Sequence, residues 1–488
     1  MGAYPKGRGS QGPCAALHRL PGRESGLRAA RGEGPLATPA RVHPITSQPL
    51  SLPGQPVMPA PARQPVKTSL ADEPDLQPEL PQFSGSNQVS LLAGGDELFP
   101  AMCAAIAAAR HQVWLATYLF HDDAVAREVA QALAAAARRG VWVGVVVDGF
   151  GSKASLPVLR QWLGEAGVNL AVFRPVDRWW RLLQHGQLRR LHQKLCVIDS
   201  DLGFIGGINV IDDRNDLRHG WSEAPRLDFA VRLQGPVVAQ MEQAARAMWS
   251  RAALGADWRE ELRLIAQSAE PLARARHVLS RLRVQADREP IAPAPQAPAE
   301  VAFLVRDNLR RRRSIERAYI GAISRASSHV EIVCPYFYPG RAFRWALRRA
   351  AQRGVRVRLL LQGKADYRFA ALAARVLYDE LLSSGVRVYE YTPAFLHAKV
   401  AVVDGDWSTV GSSNIDPLSL LLNLEANVIV RDAAFTADLA LRIESGLLAA
   451  DEVLRPSLGA GWWAMLRRGF VAWVAYWFLR LAGMSGRY

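Results

Sequence analysis

Apolar residues fall along this chain in short blocks separated by stretches of helical periodicity. VWLATYLF (113–120) precedes an Ala-rich stretch with helix spacing that runs through Ala137, and RRGVWVGVVVDG (138–149) carries the next block. VEIVCPYF (330–337) opens the same succession again, with a helical pattern ending at Ala351 and then QRGVRVRLLLQG (352–363). AGVNLAVFRP (166–175) and SGVRVYEYTP (384–393) follow at matching places, each predicting a strand that opens after Gly-Val. Apolar runs of about four to eight residues alternating with helices predict βαβ units around a largely buried parallel or mixed sheet. The repetition predicts two copies of one α/β unit.

The pattern fails in two places. Residues 1–81 hold half of the 30 prolines and little apolar periodicity. Such a segment cannot bury enough surface to offset the entropy of ordering, so it is expected to be a disordered tail. It has no apolar core behind a basic start, which argues against a secretory signal. Translation starting at Met58 is an alternative reading of this stretch. The second break is PIAPAPQAPAE (290–300), a Pro/Ala-rich linker between a unit over 82–289 and another over 301–450. With 488 residues the chain has ample length for such cores.

Charge and cysteine content narrow the setting. The formal charge is +15, of which the tail through Leu80 contributes +3 and the remainder +12. That excess predicts a polyanionic partner, a nucleic acid or an anionic membrane surface, without choosing between them. Cys14, Cys103, Cys196 and Cys334 show no paired spacing, which points to a reducing compartment with no zinc site and no disulfide framework.

The candidate chemistry lies in a frame that occurs twice. Leu191–Asn209 reads LHQKLCVIDSDLGFIGGIN, and Leu396–Asn414 reads LHAKVAVVDGDWSTVGSSN. Each contains His-x-Lys, four residues, Asp, six residues, then Gly-Gly/Ser-x-Asn. A single His-x-Lys on a strand carries no functional weight; two with identical internal spacing inside a duplicated unit do. Period-two spacing places His192 with Lys194, and His397 with Lys399, on one side of a strand. Gly206, Gly207, Gly411 and Ser412 lack bulk and are expected to let a ligand approach the backbone. Asn209 and Asn414 add amide donors. Together the two copies supply six groups suited to one tetrahedral phosphate.

A neutral imidazole can attack phosphorus, and a protonated one can donate to the departing oxygen. Lysine and asparagine stabilise charge on the non-bridging oxygens, so neither metal nor cofactor is expected. An attacking imidazole also needs an acceptor on its other nitrogen. Asp228, 36 residues past His192, and Glu425, 28 past His397, each open an apolar strand and are assigned as orienting acids. An ordinary edge salt bridge is the alternative for either. Asp199 and Asp404 complete the frame at a turn position, where an acid fixes a loop or an internal salt bridge.

These residues resemble the phospholipase D superfamily, whose signature is a duplicated HxKx4Dx6GSxN motif. The C-terminal copy fits in full, and the N-terminal copy departs only at Gly207, where serine is usual. The resemblance covers roughly residues 85–440. It implies two α/β/α sandwich units related by a pseudo-twofold axis, with a single active site at their interface. It also implies a covalent phosphohistidine, with His192 as nucleophile and His397 as general acid, and counts Asp199 and Asp404 with the catalytic set. VRDNLRRRRSIERAYIGAI (305–323), PYFYPGRAFRWALRRAAQRGVRVRLLLQG (335–363) and SSNIDPLSLLLNLEANVIV (412–430) look like bacterial cardiolipin synthases of the B type. That likeness implies transfer of a phosphatidyl group between phosphatidylglycerol molecules. It further implies a peripheral place on the cytoplasmic side of the bacterial inner membrane.

Two further stretches bear on the partner. DRWWRLLQHGQLRR (177–190) is extra to the first copy, and either lines a substrate entrance beside lipid headgroups or simply covers the core. GWWAMLRRGFVAWVAYWFLRLAGMSGRY (461–488) has an uncharged run of 11 residues, about half the length needed to span a bilayer. It is read as a membrane-interface helix, with a docked terminal helix or an oligomer contact as the alternative. Its tryptophans speak against a nuclease, so no nucleic-acid partner is expected. A phospholipase D that hydrolyses lipid keeps the same motif residues and stays an alternative. A non-catalytic membrane scaffold fits poorly with two complete His-Lys-Asn sets.

Overall fold

A computed structural model describes residues 81–175, 189–217, 220–253, 299–306, 311–364, 377–416, 419 and 423–454. The expected tail, the Trp/Arg-rich stretch at 177–190, the linker and the segment 461–488 lie outside the described residues, except at their edges. One edge differs from expectation: Ala299 and Glu300, assigned to the linker by composition, open a strand.

The first half runs β1 (Ser84–Ala93), α1 (Gly94–Ala108), β2 (Gln112–Thr117), α2 (Ala124–Arg138), β3 (Trp142–Asp148), α3 (Leu156–Gly164) and β4 (Asn169–Phe173). It continues with β5 (Leu195–Ile198), β6 (Leu202–Gly206), the short β7 (Asn215–Asp216) and β8 (Gly220–Trp221), β9 (Phe229–Gln234) and α4 (Val237–Ala253). The second half opens with β10 (Ala299–Arg306), α5 (Ser314–Arg325), β11 (His329–Cys334), α6 (Arg341–Gln352), β12 (Arg356–Gln362) and β13 (Arg387–Tyr391). Then come β14 (Val400–Val403), β15 (Trp407–Gly411), β16 (Glu425–Arg431), α7 (Ala433–Leu448) and β17 (Ala450–Glu452).

Among the described residues, fifteen strands form one mixed sheet in the order β17-β13-β12-β11-β14-β15-β16-β10-β1-β9-β6-β5-β2-β3-β4. Read outward from the central β10–β1 pair, the two halves have the same order, with β17 as an added edge. β2, β3 and β4 are parallel, as are β11, β12 and β13, while the inner strands are antiparallel. The sheet is covered on both faces, which is why its strands read as unbroken apolar runs. In β2, Trp114 and Ala116 face a core layer shared by both halves, with α4 and α7 upon it; Val113 and Leu115 face a layer closed by α1, α2 and α3. A third layer under α5 and α6 completes the second half.

The repeated Gly-Val pairs have a local cause. Gly140, Gly167, Gly354 and Gly385 all have φ between 80° and 91°, a region that costs glycine little. Each ends a helical stretch, and the following valine N–H bonds back to a carbonyl of the last turn. The chain therefore turns from helix into strand at the same four places. The preceding arginines repeat as well: Arg139 donates to the carbonyls of Ile106 and Ala109, and Arg353 to those of Ile323 and Ala326.

Candidate active site

The motif segments enter the sheet just before β5 and β14, and each is bonded to the opposite half. His192 N–H donates to the Leu424 carbonyl at 3.0 Å, and Leu424 N–H to the Arg190 carbonyl at 2.8 Å. Leu227 and the segment around Leu396 repeat the exchange, with His397 N–H donating to the Leu227 carbonyl at 2.9 Å. The residue after Leu424 is Glu425 and the residue after Leu227 is Asp228. Backbone pairing across the halves thus delivers each carboxylate to the other half's histidine. His192 Nδ1 lies 2.9 Å from Glu425 Oε2, and His397 Nδ1 lies 2.6 Å from Asp228 Oδ2. Sequence spacing had set each acid downstream of its own motif; the contacts are crossed.

The acids engage both Nδ1 atoms and leave Nε2 of each ring to other partners, and the charges of Lys194 and Lys399 both reach His192. Lys194 and Lys399 are buried, and each ammonium donates to the carbonyl of the histidine two residues before it. Asn209 and Asn414 are buried too. Their Oδ1 atoms have no hydrogen-bond partner among the described residues. Rotating either carboxamide by half a turn exchanges that acceptor for Nδ2 donors. A buried carboxamide oxygen without a partner is costly in a packed core, and it occurs at the same place in both halves.

Electrostatics follow from the burial. Burial pushes the His397 imidazole down to about 3, helped by repulsion from Lys399 and opposed by Asp228. His192 is also lowered, by burial first, with Glu425 pulling against it. Burial lowers Lys194 to about 7 and Lys399 to about 8, the neighbouring carboxylates only partly offsetting the loss of hydration. Burial alone would raise both acids, but the histidine and lysine beside each carboxylate outweigh it and hold both below the usual range. The free site therefore holds neutral imidazoles against ionised carboxylates, and Nε2 of each ring carries a lone pair.

Asp199 and Asp404, counted with the catalytic set on the strength of the motif, are not brought into this cluster. Both occupy left-handed turn positions, with φ of 51° and 52°. Asp199 accepts from the N–H groups of Arg110, His111 and Gln112, and Asp404 from those of Ser327, Ser328 and His329. Each ties the turn after its motif strand to the start of the neighbouring strand, the loop-fixing role open to an acid at a turn.

The glycines also differ from the expected role. A Cβ on Gly206 would run into the backbone of Phe229 and Ala230, one on Gly411 into Asn427, and one on Gly207 into the Asp228 carboxylate. The adjoining strands and the orienting acid exclude side chains there. Ser412 has a more direct part, its hydroxyl donating to Glu425 Oε2 at 2.6 Å.

Several contributors escaped the sequence reading. Tyr118 meets the His192 ring edge-on at 5.2 Å and lies 5.6 Å from the Lys194 ammonium. Gln193 Nε2 donates to the Glu425 carbonyl at 3.2 Å. Asp148 accepts from Leu191 N–H at 2.9 Å, and Gln362 accepts from Leu396 N–H at 3.2 Å. These two end equivalent strands, VVVDG and LLLQG, so their equivalence was a signal available in the repeat.

Comparison with known proteins places these features in context. A family described as "Cardiolipin synthase, PLD-like domain" matches residues 102–249 and 319–445. Cardiolipin synthase B of Shigella flexneri is 37% identical over 386 residues, and that of Escherichia coli K12 is 38% identical over 388. Each alignment covers 78% of this chain and 86% of the relative. Among solved structures, phosphatidylserine synthase of Haemophilus influenzae superposes with a TM-score of 0.56 at 13% identity. That superposition covers 83% of this chain and 97% of the other, a likeness of fold alone.

Proposed function

The chain belongs to the cardiolipin synthase family with a phospholipase D-like domain, and from that membership we propose that it moves a phosphatidyl group from one phosphatidylglycerol to another. The products are cardiolipin and glycerol. The observation that carries the mechanism is the crossed pairing of His192 with Glu425 and His397 with Asp228, with two buried ammonium groups close enough for their charge to reach the rings.

In the first step the His192 Nε2 lone pair forms a bond to phosphorus as the bond from phosphorus to the glycerol oxygen breaks. His397, protonated at Nε2, gives its proton to that oxygen, and glycerol leaves. The arriving phosphodiester brings the negative charge that favours the protonated ring. Glu425 stabilises the positive charge that His192 acquires. Lys194, Lys399 and the two asparagine amides face the non-bridging oxygens, where stabilisation counts most. In the second step the primary hydroxyl of another phosphatidylglycerol attacks phosphorus and gives its proton to His397. His192 then departs, restoring both rings.

The substrate is a phospholipid, and the lipid surface is read as the place of reaction. No described helix is long and apolar enough to cross a membrane. The basic excess and the aromatic segment at 461–488 support a peripheral position on an anionic bilayer, on the cytoplasmic side of the inner membrane. The deciding experiment incubates purified protein with phosphatidylglycerol vesicles and identifies the lipids by mass spectrometry. Cardiolipin and glycerol are expected in roughly equal amounts, with phosphatidic acid minor. Phosphatidic acid dominating at every lipid density would mean that water, not alcohol, takes the phosphatidyl group. Removing residues 461–488 is expected to weaken vesicle binding and to leave turnover of a short-chain soluble lipid.

A further inference from the structure

The pseudo-twofold axis relates Leu227 to Leu424, and hence Arg226 to Asn423. Both residues directly precede the leucine whose backbone grips the opposite histidine strand. Of this equivalent pair only Arg226 carries a charge; on the other side Arg306 Nη1 donates to the Asn423 carbonyl at 3.4 Å. Arg226 is largely buried, its side chain 12% exposed. Its Nη2 donates to the Asn215 carbonyl at 2.9 Å, with Asp216 Oδ2 at 3.9 Å. Among the described residues the other guanidinium donors have no acceptor, and the charge lies close enough to His397 and Lys399 to repel protons from both.

The strands that anchor Arg226 point to what it meets. Asn215 and Asp216 form β7, paired with β8, and this hairpin holds two exposed apolar side chains, Leu217 at 59% and Trp221 at 66%. A largely buried cation tied to a hairpin with exposed apolar side chains matches an amphiphile whose phosphate lies inward and whose acyl chains lie outward.

The second step of the reaction needs such a place. The donor lipid has one phosphate, and the two lysines and two asparagines already face it. The acceptor brings its own phosphodiester anion, one glycerol away from the phosphorus under attack. An anion taken from water without a partner is costly. We propose that Arg226 binds the phosphate of the acceptor phosphatidylglycerol and so directs that lipid's hydroxyl toward His397. This inference rests on the synthase reading and adds to it the address of the second lipid.

The test sets two acceptors against each other. Phosphatidylglycerol vesicles containing ethanol let one covalent intermediate partition between cardiolipin and phosphatidylethanol, and ethanol has no phosphate to bind. In Arg226→Gln the ratio of cardiolipin to phosphatidylethanol is expected to fall about tenfold, the size of one lost charge-assisted hydrogen bond. Arg226→Lys, which keeps the charge without the fork, is expected to lie between the two. If Arg226→Gln makes neither product, the ratio is read from Arg226→Lys. A ratio equal to wild type in the variant that turns over overturns the subsite, whatever the total rate. Wild-type protein that makes phosphatidylethanol and no cardiolipin would instead sink the synthase reading itself.

Discussion

In the N-terminal half Gly207 lies beneath Asp228, whereas at the corresponding place in the C-terminal half Ser412 donates to Glu425. The two acids do the same job on opposite histidines, but they are held differently. Asp228 is one methylene shorter, and its carboxylate occupies the space that a side chain at 207 would fill; a backbone donor, Phe229 N–H at 2.8 Å, steadies it. Glu425 reaches further and takes the serine hydroxyl instead. Gly–Asp and Ser–Glu are therefore matched pairs, and the motif's one departure from symmetry follows from the choice of acid. The neighbouring supports diverge in the same manner. Asp148, 3.7 Å from Arg190, holds the first motif segment, while neutral Gln362 holds the second.

The broadest challenge to the comparison is to remove the histidines. His192→Ala and His397→Ala are each expected to lower turnover by more than about a thousandfold, since groups acting as a unit lose most of their effect together. Activity above a tenth of wild type in either, measured by lipid product, would break the equivalence of the halves. Replacing the acids comes next. Asp228→Asn and Glu425→Gln should each cost about 10³- to 10⁴-fold in kcat, the scale seen when an orienting acid is neutralised behind a catalytic histidine.

Transplanting one half's pair into the other sharpens the point. Gly207→Ser alone forces Asp228 from His397 and is expected to reduce kcat severely. Combining it with Asp228→Glu rebuilds the Ser–Glu pair and should recover part of the loss. No recovery would show that the pairs are not matched. Ser412→Ala has a smaller expected effect, about tenfold, because it removes one hydrogen bond to a carboxylate.

The mildest perturbation is pH. Both lysines must be charged to stabilise the transition state, and burial has lowered Lys194 to about 7 and Lys399 to about 8. Below pH 7 both are protonated, so kcat/KM is expected to fall as pH rises through the window from 7 to 8. His192, the nucleophile, must be neutral and is lowered from its usual value, so loss on the acid side should begin below 6.5. A profile flat up to pH 10 would contradict the burial of the lysines.

Much of this arrangement was legible in the sequence because it was written twice. The strands, the Gly-Val turns and the His, Lys and Asn sets are local patterns, repeated at constant spacing. The crossed pairing was not legible. Periodicity says which face a residue occupies, but not which distant segment lies opposite, and His192 is 233 residues from Glu425. For the Asp of each motif, turn position and family resemblance pointed different ways. Family resemblance groups it with the histidine, while its left-handed turn carries it to the neighbouring strand's amides. The role of Gly207 needed the structure as well, since its constraint comes from an acid 21 positions later in the chain.

The crossed acids also bear on how such a molecule comes to exist. A single unit carries a histidine without the carboxylate that orients it, so each half alone is expected to be inert. Two separate copies meeting about a twofold axis would complete each other in the same way, but their activity would fall with dilution as they parted. Joining both copies in one polypeptide replaces that encounter with a fixed local concentration. It also frees the copies to drift apart in sequence, so that one can keep a serine and the other a glycine, or one an arginine where the other has an asparagine. Catalytic competence then appears late in biosynthesis, only after β16 has been made and has met the strand of a histidine translated more than two hundred residues before.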